Sequence, residues 1–189
     1  MDSIFINNLL QHNELFSNLD QLDSSISIAI NLIIESLKNS KKLMICGNGG
    51  SAADSQHIAA EFTGRFIEDR PPIAALSLTV DTSALTCIGN DYSFSDIFSR
   101  QIFALGQKGD CLLAISTSGN SKNVVNAVEA AKVIGISTIG LLGRDGGVLK
   151  ELCDLSIVVP SDVTARIQEA HILIGHSICG AVEKGLGLV

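Results

Sequence analysis

The sequence predicts an α/β fold, a three-layer sandwich around a five-stranded parallel sheet with helices added at the N-terminal end. Two observations carry the prediction. From residue 43 onward, five short continuous apolar runs alternate with stretches of helical period. Glycine- or serine-rich turns stand where two of those runs give way to helix.

The runs are residues 43–46, 73–78, 111–115, 137–142 and 155–159. Each is too short and too unbroken for an amphipathic helix and fits a strand buried on both faces. Helical patterns at 52–66 and 124–134 lie between them, and a final one at 164–184 follows. Such alternation means parallel strands joined by right-handed crossovers.

Residues 1–40 read differently, as helix without glycine or proline. Ile26, Ile30, Ile33 and Leu37 recur at i, i+4, i+7 and i+11, on one face. A weaker pattern runs through Ile6, Leu9, Leu10 and Phe16, with a break at 20–25. The expectation is a helical hairpin or bent helix over 1–40 that serves oligomerisation, its apolar face covered by another subunit. Residues 41–189 then form the α/β domain.

At 189 residues the chain can bury one sizeable core. Its 46% apolar and 17% charged residues are those of a globular chain. Thirteen basic against 20 acidic residues give a net charge of −7, which argues against nucleic acid or an anionic membrane as partner. An anionic ligand must therefore be held by local dipoles and hydroxyls. The five cysteines, Cys46, Cys87, Cys111, Cys153 and Cys179, sit singly in apolar stretches, as reduced thiols of a cytosolic protein do. Met1 is followed by Asp2 with no basic-then-apolar leader, and the longest apolar stretches fall short of the roughly 18–20 residues of a membrane span. A cytoplasmic location is expected.

Ligands of open α/β sheets bind beyond the carboxyl ends of the strands. The turn after 43–46 reads Gly47-Asn48-Gly49-Gly50-Ser51, which lets backbone approach a ligand, although Ser51 with Asp54 also has the spacing of a capping box. The turn after 111–115 reads Ser116-Thr117-Ser118-Gly119-Asn120-Ser121. One serine suffices for an N-cap, and the surplus hydroxyls beside the free N–H groups of a helix start suit a phosphate.

His57 and Glu61 share a helix face four residues apart, as an ordinary polar pair or as groups over one substrate. Arg65, a turn further on, is an alternative partner for Glu61. On the last helix Gln168 and His176 are separated by about 80° of rotation and two turns, whereas His171 is turned about 140° from His176 and suits packing.

The serine turn resembles the sugar-phosphate loop of SIS domains, which are flavodoxin-like in fold. Gly47 through His57, reading Gly-Asn-Gly-Gly-Ser-Ala-Ala-Asp-Ser-Gln-His, resembles the matching turn of phosphoheptose isomerases. So do Gly89-Asn90-Asp91, Arg144-Asp145-Gly146-Gly147 and Thr164-Ala165-Arg166-Ile167-Gln168-Glu169-Ala170-His171. The likeness covers the chain from about residue 42, and Ala165 stands where some members carry an acidic residue.

The resemblance implies an aldose–ketose isomerase that converts sedoheptulose 7-phosphate to D-glycero-D-manno-heptose 7-phosphate, feeding activated heptose into surface polysaccharide. It implies Glu61 and His176 as the acid–base pair, and a zinc (Zn2+) site of His57, Glu61, Gln168 and His176. The implied substrate contacts are Asn48, Gly49, Gly50, Ser51, Glu61, Asn90, Asp91, Ser116, Thr117, Ser118, Ser121 and Gln168. It also implies a homotetramer with the N-terminal helices bundled at its centre and active sites at subunit boundaries. A carboxylate serves to move a proton between C1 and C2 of an enediol, and a second group shuttles protons between the two oxygens. Two other readings remain: a non-catalytic SIS protein that binds the replication initiator, and an SIS isomerase for another sugar phosphate. Glu61 with His176 speaks against the first.

Overall fold

The computed structural model describes residues 3–189. Five parallel strands, β1 (Leu43–Cys46), β2 (Ala75–Ser77), β3 (Cys111–Ser116), β4 (Ser137–Gly143) and β5 (Leu155–Val159), form one sheet in the order β2-β1-β3-β4-β5. Period-two alternation divides each strand between two cores. Leu43 and Ile45 of β1, with Cys111, Leu113 and Ile115 of β3, enter one core. Met44, Cys46, Leu112 and Ala114 enter the other. The first is roofed by α2 (Asp23–Lys38), α3 (Gly50–Thr63) and α8 (Thr164–Gly185). The second is roofed by α4 (Thr82–Asp91), α5 (Ser99–Leu105), α6 (Lys122–Ile134) and α7 (Leu149–Leu152). That is the three-layer sandwich expected.

The helices of residues 82–105 carry no expectation from the sequence, and the reason is visible. In α4 the one buried residue is Ile88, so its apolar period is too sparse to read.

The N-terminal segment comprises α1 (Ile4–Phe16), a 3₁₀ turn at Leu19–Leu22 over the expected break, and α2. Of the stripe Ile26, Ile30, Ile33 and Leu37, the chain's own core takes up part, and three of its four residues stay partly exposed. Ile33 is fully buried in the sheet's own core, with the other three packed against it, because α2 lies along α8 and β5. Uncovered apolar surface also lies on α1, where Ile4, Phe5, Leu9 and Leu10 are 79, 70, 42 and 61% exposed. His12 Nδ1 lies 2.9 Å from Glu169 Oε2, and Arg166 bonds both Glu169 and the Asn8 carbonyl, so α1 is tied to the start of α8.

Candidate active site

In the order 2-1-3-4-5 the chain switches direction between β1 and β3, and a crevice opens there at the carboxyl ends of the strands. The two turns singled out in the sequence border it, one leading from β1 into α3 and the other from β3 into α6. Asn48 and Asn123 tie them together, each amide donating to the other's oxygen at 2.8 Å. Asn123 was not expected from the sequence, where it passes for an ordinary first-turn residue; only the packing of α6 against the crevice reveals it.

The serine turn is built around its own hydroxyls. Ser116 Oγ accepts from the Gly119 N–H at 3.1 Å and donates to Ser121 Oγ at 3.3 Å, while Ser118 Oγ accepts from the Asn120 N–H. Ser121 is the N-cap of α6 through its carbonyl, which accepts from Val124 and Val125, so its hydroxyl faces Ser116 instead of capping. The run Arg144 to Gly147 braces this turn. Gly119 has φ +66°, and a Cβ there would stand 1.8 Å from the Gly146 carbonyl oxygen. Thr117 and Ser118 are half-buried and the first turn of α6 holds no acidic residue, which leaves the helix start open to an anion.

On the first turn, Gly49 is the N-cap of α3 and Ser51 lies inside the helix. The capping box is therefore not formed, and among the described residues Asp54 Oδ2 is one of two buried side-chain atoms without a hydrogen-bond partner. Burial raises the Asp54 carboxyl above its ordinary range, with His57 opposing.

Helices α3 and α8 pack side by side and run in parallel. Gln168 meets Gly50 near their starts, so close that a Cβ at Gly50 would stand 2.3 Å from the amide nitrogen. Two turns on, Gly175 lets Ile58 through. There His57, Glu61 and His176 converge, each offering a ligand atom within 4.8 Å of the others. His57 Nε2 lies 3.1 Å from Glu61 Oε1 and 3.3 Å from His176 Nε2. Phe66 stacks on His176 at 5.4 Å between centroids. Arg65 donates to the Ile67 carbonyl and leaves Glu61 to His57. Cys179, a turn beyond His176, stays a thiol because burial, with the Glu61 and Glu183 carboxylates, pushes it up to about 12.

Three of the four expected metal ligands thus meet, and Gln168 does not join them within one chain: it stands eight residues, about 12 Å of helix, before His176. Asn90 and Asp91 close α4, exposed, with the Asn90 amide donating to Asp91 at 2.7 Å. His171, as expected, is a packing residue, buried beneath the Leu142 carbonyl, which accepts from its Nε2 at 2.9 Å.

This five-stranded sheet with a serine-rich turn at its switch point is that of an SIS domain, whose family model matches residues 9–143. A phosphoheptose isomerase of a Nitratiruptor species is 56% identical over 93% of this chain and 95% of its own. The structure of phosphoheptose isomerase from Neisseria gonorrhoeae superposes with a TM-score of 0.91 at 44% identity, covering 95% of this chain and 97% of that one. For the Francisella tularensis enzyme the values are 0.84, 37%, 94% and 98%. The chain belongs to the phosphoheptose isomerase family of SIS-domain proteins, and it is an aldose–ketose isomerase.

Proposed function

We propose that the chain converts sedoheptulose 7-phosphate to D-glycero-D-manno-heptose 7-phosphate, the first step toward activated heptose for surface polysaccharide. The observation that carries the reading is the convergence of Glu61 and His176 from two helices in a chain of this family. Glu61 removes the C1 proton of the open-chain ketose while His176 protonates the C2 oxygen, giving an enediol. Glu61 then returns the proton to C2 as His176 takes the proton from the C1 oxygen. The hydroxyls of Ser116, Thr117, Ser118 and Ser121 and the N-terminus of α6 hold the phosphate. Asn48, Gly49, Gly50, Ser51, Asn90, Asp91 and Gln168 shape the sugar's surroundings.

Two imidazole nitrogens and a carboxylate oxygen suit zinc, whose bonds of about 2.0–2.2 Å at tetrahedral angles set ligand atoms about 3.3 Å apart. The spacings of 3.1 and 3.3 Å around His57 match. Bound there, zinc would polarise the substrate carbonyl.

The working enzyme on this reading is a homotetramer whose sites are shared between copies. The Glu61 carboxylate meets His57 and His176 about two turns of helix beyond the level where Gly50 meets Gln168. On this reading the phosphate turn and Gln168 that complete one His57–Glu61–His176 cluster come from a second copy. The exposed apolar face of α1 supports assembly. Among the described residues no helix is long and apolar enough to cross a membrane, and the five free cysteines accord with the reducing cytoplasm.

The test is turnover of sedoheptulose 7-phosphate in deuterated water, followed by NMR. An aldose 7-phosphate is expected, with deuterium at C2 in each turnover where the proton held by Glu61 exchanges with solvent before its return, and Glu61→Gln should slow its appearance by roughly 10²–10⁴-fold. Preference for a hexose phosphate, or full turnover by Glu61→Gln, would overturn the assignment.

A further inference from the structure

Near the end of α3 lies a buried ion pair. Arg70 follows α3 in the loop leading to β2, and Glu183 lies two turns beyond His176 on α8; their side chains are 1% and 3% exposed. The guanidinium donates to Glu183 through Nε at 2.7 Å. Its Nη2 donates to the Glu61 carbonyl at 2.7 Å, and its Nη1 to the Phe62, Gly64 and Pro71 carbonyls at 2.8, 3.1 and 3.0 Å. One side chain thus bonds two of the last carbonyls of α3, those of Glu61 and Phe62, the first of them at the residue bearing the proposed base. The same Glu183 oxygen accepts from the Phe66 N–H at 3.2 Å, and Phe66 is the residue whose ring stacks on His176.

The geometry points to Arg70 and Glu183 as a positioning pair that holds the Glu61-bearing turn and the Phe66–His176 stack in register. Neither residue touches substrate; both act through others. The arrangement explains why a buried ion pair is kept where an apolar pair of similar volume would cost less desolvation. Only a planar fork can serve a carboxylate and several carbonyls together, so lysine is not an equivalent.

The inference rests on the isomerase reading, and the experiment separates the two. Glu183→Gln keeps the shape and weakens the fork, Phe66→Leu removes the stack without touching the pair, and Asp110→Asn is the control. Asp110 is fully buried against Lys42 Nζ at 2.6 Å, but at the amino ends of β1 and β3, away from the cluster. Melting temperature, kcat and KM are measured on the assembled enzyme. The ring resonances of His176 are followed by NMR on protein labelled at histidine.

Glu183→Gln should lower kcat by roughly 10–100-fold with KM held within about two-fold, the scale for groups that orient metal- or substrate-binding residues. Phe66→Leu should lower kcat in the same sense. Both should displace the His176 resonances, whereas Asp110→Asn should lose melting temperature and keep kcat and the His176 signals. An unmoved His176 spectrum in Phe66→Leu and Glu183→Gln overturns the proposal, as does a kcat loss in Asp110→Asn equal to theirs. If Glu183→Gln does not fold, Phe66→Leu and the Arg70→Lys variant decide by the same criteria. A wild-type enzyme that leaves sedoheptulose 7-phosphate unchanged overturns the substrate assignment, while the His176 spectra still decide the pair.

Discussion

Lowering the pH should destabilise this protein through one residue, His171. The imidazole is fully buried, its Nε2–H donates to the Leu142 carbonyl, and among the described residues its Nδ1 has no hydrogen-bond partner. Burial pushes its pKa from the ordinary 6.5 down to about 4, with the Leu142 bond working the other way. The unfolded chain therefore takes up a proton through pH 6.5 that the folded chain refuses until about pH 4. Stability from this group is complete above that window and falls as the pH falls through it. Linkage gives a loss of about 2 kcal/mol at pH 5 and about 3 kcal/mol at pH 4 relative to pH 8. Urea unfolding of the wild type and of His171→Gln, at half-unit steps from pH 8 to 4.5, isolates the effect. Glutamine can still donate to Leu142 and does not titrate, so its fixed packing cost cancels when slopes are compared. The wild-type curve should fall more steeply below pH 6.5. Parallel curves would show that His171 is not held neutral, and the account of its burial would fail.

Ser118→Ala and Ser121→Ala should each weaken binding of a sugar phosphate by about 1–3 kcal/mol and leave the unphosphorylated sugar unaffected, as read by calorimetry; equal losses for both ligands would dismiss the phosphate turn. Dialysis against a chelator should remove zinc, measured by elemental analysis, with the melting curve nearly unchanged, because the cluster sits on preformed helices; unfolding on metal loss would make the site structural. Phe5→Asp with Leu10→Asp should dissociate a tetramer near four times 19.9 kDa and depress turnover, as light scattering and assay would report; a wild-type monomer with full activity would remove the shared site.

Much of this fold is legible in the sequence because the strands are buried on both faces and so read as unbroken apolar runs. All five runs expected are strands, and β1 and β5 match residue for residue. The serine turn is legible for a chemical reason, since four hydroxyls exceed what one helix cap requires. Burial is what the sequence conveys least well. The apolar stripe of α2 and that of an interface helix look alike as spacing, and only the packing against α8 separates Ile33, which is buried at home, from Leu10, which is not. Arg70 illustrates the same limit. In the sequence it stands beside Glu68, Asp69 and Pro71 as one charge in a polar loop, and nothing local foretells that a carboxylate 113 residues later encloses it.

The parallel course of α3 and α8 has the larger consequence for function. A helix that starts at a phosphate turn offers its N–H groups to an anion there, and side chains two turns on face a different volume of space. In this chain Gly50 meets Gln168 at the first level, and His57 meets His176 at the second. A catalytic unit on the proposed reading needs both levels around one small sugar, and a single chain sets them about two helical turns apart. On that reading assembly is part of the chemistry, with each copy lending its serine turn to one site and its acid–base cluster to another. The Arg70–Glu183 pair sits just beyond the second level, and on the same reading it keeps Glu61 and His176 in register for a substrate whose phosphate is anchored on the neighbouring copy.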